Sequence, residues 1–96
     1  MRVLWTDAAL SQLEAIRDYL SQTSPGYARR FVERLVNRSE QVAAFPRSGR
    51  MVPEYEIDEV RQVVESSYRL IYLIKEDQVE ILAVIHTSRK RLPQEE

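Results

Sequence analysis

Cysteine is absent from this chain, histidine occurs once, and glycine and lysine occur only twice each. Without cysteine there is no disulfide scaffold, thiolate metal site or cysteine nucleophile. The single imidazole, His86, excludes a His-rich metal site. No loop carries the carboxylate spacing of a calcium or magnesium site, so no cofactor is expected. Long hydrophobic runs are missing as well. No stretch approaches the roughly 18 apolar residues of a membrane span, and the opening MRVLWTDAAL lacks an apolar signal core. A cytoplasmic protein with no membrane partner is expected. The net charge is −1. The basic excess that counterion release from phosphates rewards is therefore lacking, which argues against a large DNA or RNA footprint.

What is present suits one domain. Two cores within 96 residues would each fall below the size that folds unaided. Hydrophobic residues at 44% suffice for a single core. The basic residues are 12 Arg against 2 Lys. Arginine favours bidentate pairing with carboxylates or phosphates.

Val3 to Trp5 reads as a short opening strand. Thr6 is placed to cap a first helix running from about Asp7 to Gln22, with Asp7 favourable in its first turn. Trp5 and Leu10 occupy the positions of a hydrophobic staple, and Ala9, Leu13, Ile16 and Leu20 recur at helical spacing. Ser24-Pro25 restarts the chain as a second helix. Its expected apolar stripe is Phe31, Leu35, Val42 and Phe45 with Ala28 and Val32, and Pro46 ends it. A link this short makes the helices an antiparallel pair.

From Val60 the pattern turns to β-rich runs. A turn centred on Glu76-Asp77 puts Tyr72 opposite Ile81 and Leu70 opposite Ala83. One face then carries Tyr68, Leu70, Tyr72 and Ile74 and packs on the helices. The other gathers Ile71, Leu82 and Val84 into an apolar patch rimmed by Arg69, Glu80 and His86. A patch of that kind on a small domain marks a partner site. Glu54, Glu56, Asp58 and Glu59 form an acidic loop that Arg61 is placed to order, and Arg69 is placed to pair with an acid. Arg29, Arg30, Arg34 and Arg38 recur on one side of the second helix, as a solvated face or a contact surface.

Taken in order, these residues resemble the RelE/ParE superfamily of bacterial type II toxins. The match begins with Trp5, Ala8 and Ala9, then Leu13, Ile16 and Tyr19, then Ala28, Phe31 and Leu35. It continues through Pro46, Gly49, Arg50 and Pro53-Glu54 to Arg61 and Tyr68-Arg69-Leu70-Ile71-Tyr72. Val79, Ile81, Val84, His86 and Arg89 close it. The resemblance implies an α+β fold of order β-α-α-β-β-β, an antiparallel helix pair on one face of a small, mainly antiparallel sheet.

The resemblance also implies a cognate antitoxin, through which alone the toxin meets DNA. Its expected contacts are Arg69, Ile71, Leu82, Val84, His86, Arg89 and Arg91. RelE-like members cleave mRNA on the ribosome, whereas ParE-like members poison DNA gyrase and are not nucleases. Cleavage through a 2′-hydroxyl needs a base, an acid and positive charge around the phosphorane. The residues on offer are Glu54 as base, His86 as acid and Arg69 as phosphate clamp. The acidic loop, the near-neutral charge and the lack of an aromatic after Tyr72 favour the ParE-like, non-enzymatic reading with gyrase as target.

Overall fold

The computed structural model describes residues 1–88, and in it strand β1 (Arg2–Trp5) passes through Thr6 into helix α1 (Asp7–Ser21). Thr6 joins the two layers of the fold. Its Oγ1 accepts the Ala9 N–H at 3.2 Å, capping α1, and donates to the Ile81 carbonyl at 2.8 Å. Helix α2 (Pro25–Ala44) begins as its sequence signals, with Ser24 Oγ accepting the Tyr27 N–H at 3.4 Å. A 3-10 turn (Pro46–Ser48) follows, then β2 (Arg50–Met51), β3 (Val60–Glu65), β4 (Tyr68–Ile74) and β5 (Gln78–His86). The sheet order is β1-β5-β4-β3-β2, with β1 parallel to β5 and every other pair antiparallel. The α+β architecture is the expected one, and β2 is an addition to it.

Both helices pack on one face of the sheet. Ala9, Leu13 and Ile16 of α1 meet Phe31, Leu35 and Val42 of α2 above Val63, Leu70, Tyr72, Val79, Ile81 and Val84. Each fully buried Leu, Ile or Phe in this layer contributes about 1.5–3 kcal/mol. One expectation about the helix ends fails. Phe45 leaves the apolar stripe and is 71% exposed, because it is the C-cap residue and its non-helical backbone carries the chain off the helix. Trp5 turns its indole N–H to Ser39 Oγ at 3.3 Å, and Leu10 stays 42% exposed. Ser39, fully buried in α2, is stabilised there by donating to the Val36 carbonyl at 2.6 Å.

The β4–β5 hairpin pairs as expected from Ile74↔Val79 to Tyr72↔Ile81, and then slips by one residue. Leu82 is the extra residue of a β-bulge, so Ile71 faces Ala83, Leu70 faces Val84 and Tyr68 faces His86. A one-residue slip exchanges the two faces of a strand. Val84 therefore joins the helix-side core, while Ala83 and Ile85 move to the opposite face. That face is not an open patch. Residues 52–59 fold across it, and Val52, Val60, Ile71, Ala83 and Ile85 form a second buried cluster flanked by Tyr55, Leu73 and Leu82.

Tyr72 fixes the corner where α2 meets the sheet. Its side chain is fully buried, its hydroxyl donates to the Pro46 carbonyl at 2.6 Å and accepts the Gly49 N–H at 3.1 Å. Burial raises the Tyr72 pKa, which keeps the donating proton in place. Gly49 is required here by space alone, since a Cβ would collide with Tyr72 Oη and lie 2.8 Å from the Gln62 carbonyl oxygen. Gly49→Ala should accordingly destabilise the fold by about 1–3 kcal/mol, the cost of overpacking. Urea denaturation should show a lower midpoint at an unchanged slope.

Candidate functional site

Arg69 lies on the β4 face opposite the helices, 8% exposed and fully engaged. Its Nη1 and Nη2 each donate to a Glu54 carboxylate oxygen at 2.9 Å, and Nε donates to Gln62 Oε1 at 2.7 Å. This fork-to-fork pairing is the strongest geometry open to the two side chains. Glu54 belongs to the segment that covers the second cluster, so the pair clamps that segment to the sheet. Arg69 hydrogen bonding holds the Glu54 carboxyl below its ordinary pKa, and partial burial opposes the shift.

The rest of the acidic loop is organised as the sequence suggests. Arg61 donates through Nε to the Asp58 carbonyl and through Nη2 to Asp58 Oδ1, both at 2.7 Å, and through Nη1 to the Gly49 carbonyl at 3.1 Å. Asp58 also receives Arg47 Nη1 at 2.6 Å. The Arg47 and Arg61 guanidiniums hold its carboxyl below the usual range. Glu56 and Glu59 remain exposed. On α2, Arg34 and Arg38 share Glu65 at 3.3 and 4.0 Å, and Arg34 also lies over the Tyr27 and Phe31 rings.

His86 sits on the other side of the sheet from Arg69. The bulge turns it towards the helices, where its ring meets Tyr68 edge-on with centroids 5.3 Å apart. The Ser88 N–H donates to His86 Nδ1 at 3.1 Å, so the neutral ring carries its proton on Nε2. A cleft of about 230 Å³ opens beside it, lined by Gln12, Ala15, Tyr68, Val84 and His86. Here β5 runs on past the end of β1, and Gln12 Oε1 accepts the Val84 N–H at 2.8 Å in place of a neighbouring strand.

The structure thus brings Glu54 and Arg69 together but separates both from His86. The expected surface of Ile71, Leu82, Val84, Arg69 and His86 is divided. Ile71 and Arg69 are buried on one face, Val84 on the other, Leu82 is half-buried at the bulge, and only His86 is exposed. Arg89 and Arg91 lie outside the described residues. Sequence reasoning missed the grouping of Tyr19, Tyr27 and Tyr68 near His86; burial, with smaller contributions from Tyr19 and Tyr27, raises the Tyr68 pKa. The aromatic spacing could have signalled it only with the bulge already known.

Comparison with known proteins agrees with this architecture. The family model described as "ParE toxin of type II toxin-antitoxin system, parDE" matches residues 3–91. The chain is 35% identical over 89 residues to "Toxin RelE2" of Caulobacter vibrioides, covering 92% of this chain and 97% of that protein. It is 34% identical over 91 residues to "Putative toxin Y4kP" of Sinorhizobium fredii, covering 93% and 91%. Among solved structures, a chain of the "Chromosomal ParDE TA system from P. aeruginosa" superposes with a TM-score of 0.71 at 24% identity. That match covers 90% of this chain and 95% of the other.

Breaking the clamp should be costly. Arg69→Ala is expected to lose about 3 kcal/mol, the low end for a broken buried ion pair because Glu54 is 18% exposed. The sign of the pH effect follows from the lowered Glu54 pKa. Its stabilisation is present above the unfolded carboxylate pKa of about 4.3 and is lost as pH falls through the lower folded value. Thermal melts should therefore fall more gently with acid in Glu54→Gln than in the natural protein.

Proposed function

Because this chain belongs to the ParE toxin family of type II toxin–antitoxin systems, with a cognate antitoxin as its partner, we propose that it arrests growth by binding DNA gyrase rather than by cutting RNA. One observation carries this choice. The candidate base and the candidate phosphate clamp, Glu54 and Arg69, neutralise each other in a bidentate pair, on the opposite side of the sheet from His86. General acid–base cleavage needs its groups within hydrogen-bond reach of one phosphate. The exposed Glu56 and Glu59 beside the pair also repel a nucleic acid strand.

The antitoxin contact follows from the same geometry. Leu82 and His86 border the stretch of β5 that has no strand on the β1 side, with Arg89 and Arg91 next in sequence. These are the residues proposed to meet it, together with the cleft beside α1. Arg69, Ile71 and Val84 support that surface from within.

A ribosome-dependent endoribonuclease is the second reading, favoured by the exposed His86 at a cleft and by the relative named Toxin RelE2. Purified protein should inhibit gyrase supercoiling with no ribosome present, and His86→Ala should inhibit it equally well. Indifference of gyrase would sink the proposal. Site-specific mRNA cuts that disappear in His86→Ala would establish the second reading instead.

A further inference from the structure

A cleft of about 270 Å³ lies where the C-terminal half of α2, the chain from Ser48 to Arg50 and the outer side of β3 meet. Arg38, Ser48, Arg50, Gln62 and Val64 are among its walls, and no acidic side chain is. Donors reach it from three elements. From α2, Arg38 Nη1 donates to Gln41 Oε1 at 3.1 Å, while Nε lies 4.0 Å from Glu65 Oε1, too far for a hydrogen bond. Among the described residues, Arg38 Nε is the only buried side-chain nitrogen or oxygen that lacks a hydrogen-bond partner. An orphaned donor of this kind marks a place for a bound water or ion.

From β2, Arg50 is exposed and forms no ion pair among the described residues. From β3, Gln62 has its Oε1 occupied by Arg69, so the uncommitted end of its amide is the N–H donor. Val64 adds a main-chain donor. Glu65↔Tyr68 and Val63↔Leu70 face each other across a two-residue turn, and antiparallel rungs alternate, so Val64 directs its N–H away from β4. The β2 pairing begins at Arg50, opposite Gln62, and does not extend to Val64, which is 51% exposed.

Donors from three elements, with no carboxylate among the walls, require an anion. A planar carboxylate is satisfied by one guanidinium, as Glu54 is by Arg69. Guanidiniums on separate walls suit a phosphate, whose acceptor oxygens point to several sides of one centre. A row of cations continues from the cleft. Arg30, Arg34 and Arg38 stand about 6 Å apart along the α2 axis, and Glu33 and Glu40 fall on other sides of the helix. Among the described residues, Glu65 is the one carboxylate paired with this row. The net charge of −1 thus averages a basic side of α2 with the acidic loop from Glu54 to Glu59.

We propose that this cleft is an oxoanion site that takes a phosphate group, with Arg38 and Arg50 as its clamps and the Val64 N–H as a further donor. A phosphate there has a small footprint, in keeping with the near-neutral charge of the chain. The same chemistry is offered by a free nucleotide and by a nucleic-acid backbone, and Arg34 and Arg30 supply further cations along α2 for the second. The site stands whether the toxin acts on gyrase or on the ribosome.

The test titrates the purified full chain with inorganic phosphate, followed by nuclear magnetic resonance at the Val64 amide and the arginine Nε–H groups. Saturable shifts are expected at Val64, Arg38 and Arg50, and phosphate should raise the thermal midpoint by mass action. Arg38→Gln and Arg50→Gln should each weaken phosphate binding at least about tenfold, the scale of one lost charge-assisted hydrogen bond. Arg50→Gln should keep the midpoint measured without phosphate, since Arg50 holds no partner in the chain. Arg17→Gln, on α1 and paired only with Asp18, should bind phosphate as the natural chain does. A nucleoside monophosphate, a short DNA duplex and a single-stranded RNA of the same length then distinguish the sources. Tighter binding of DNA or RNA, with a salt slope that falls by about one in Arg50→Gln, identifies a nucleic-acid backbone. Equal binding of the monophosphate identifies a free nucleotide. Shifts that miss the cleft, or an Arg17→Gln loss as large as that of Arg50→Gln, would overturn the proposal. So would a cleft that ignores phosphate and takes polyglutamate, which would assign it to an acidic protein segment.

Discussion

The bidentate pair between Arg69 and Glu54 is the interaction on which the functional reading depends. β4 and β5 are apolar on both faces, and a small sheet covered by helices on one side alone would leave Ile71, Ala83 and Ile85 in water. The segment from Val52 to Glu59 covers them, and the clamp anchors it to the sheet together with the bonds from Arg61 to Asp58. A guanidinium and a carboxylate removed from water together must satisfy each other. Gln62 completes the set by accepting from Arg69 Nε. The same arrangement that makes the second face a core pairs two charged side chains with each other. The covered face and the separation of Glu54 and Arg69 from His86 thus belong to one architecture.

The bulge at Leu82 has an equally wide reach. One extra residue in β5 sends Val84 and His86 to the helix side and Ala83 and Ile85 to the loop side. It also coincides with the end of β1, whose last pair is Trp5↔Ile81. Beyond that point Thr6 and Gln12 supply side-chain and main-chain bonds to β5 where a strand would otherwise lie. The other edge has a matching gap, because the chain leaves the line of β2 at Ser48 to form the corner that Tyr72 and Gly49 lock. Each edge of the sheet is therefore covered in part by its own chain and open in part.

Local signals made most of the fold legible. Thr6, Ser24-Pro25 and Pro46 mark helix boundaries through capping and proline geometry, which depend on a few neighbouring residues. The helical repeat from Ala9 to Ile16 and from Ala28 to Val42 marks the buried faces for the same reason. The ordering of the acidic loop by Arg61 was also legible, since Arg61 and Asp58 are only three residues apart. Phe45 shows where such reasoning stops. Its position in the repeat is right, but the non-helical C-cap backbone turns it outward.

The sequence by itself determined every element but β2, the buried faces of the helices, the family and the tendency of Arg69 to find a carboxylate. Tertiary structure decided which carboxylate, which face and which edge. The residues that pattern reading joined as one exposed site, Ile71, Leu82, Val84 and His86, are parted by a single bulge. Alternation along a strand carries no mark of where an extra residue enters, because a bulge is set by how β5 packs between α1 and the covering segment. The partner of Arg69 lies 15 residues away in a loop with no periodicity, and only the closed second core brings the two together.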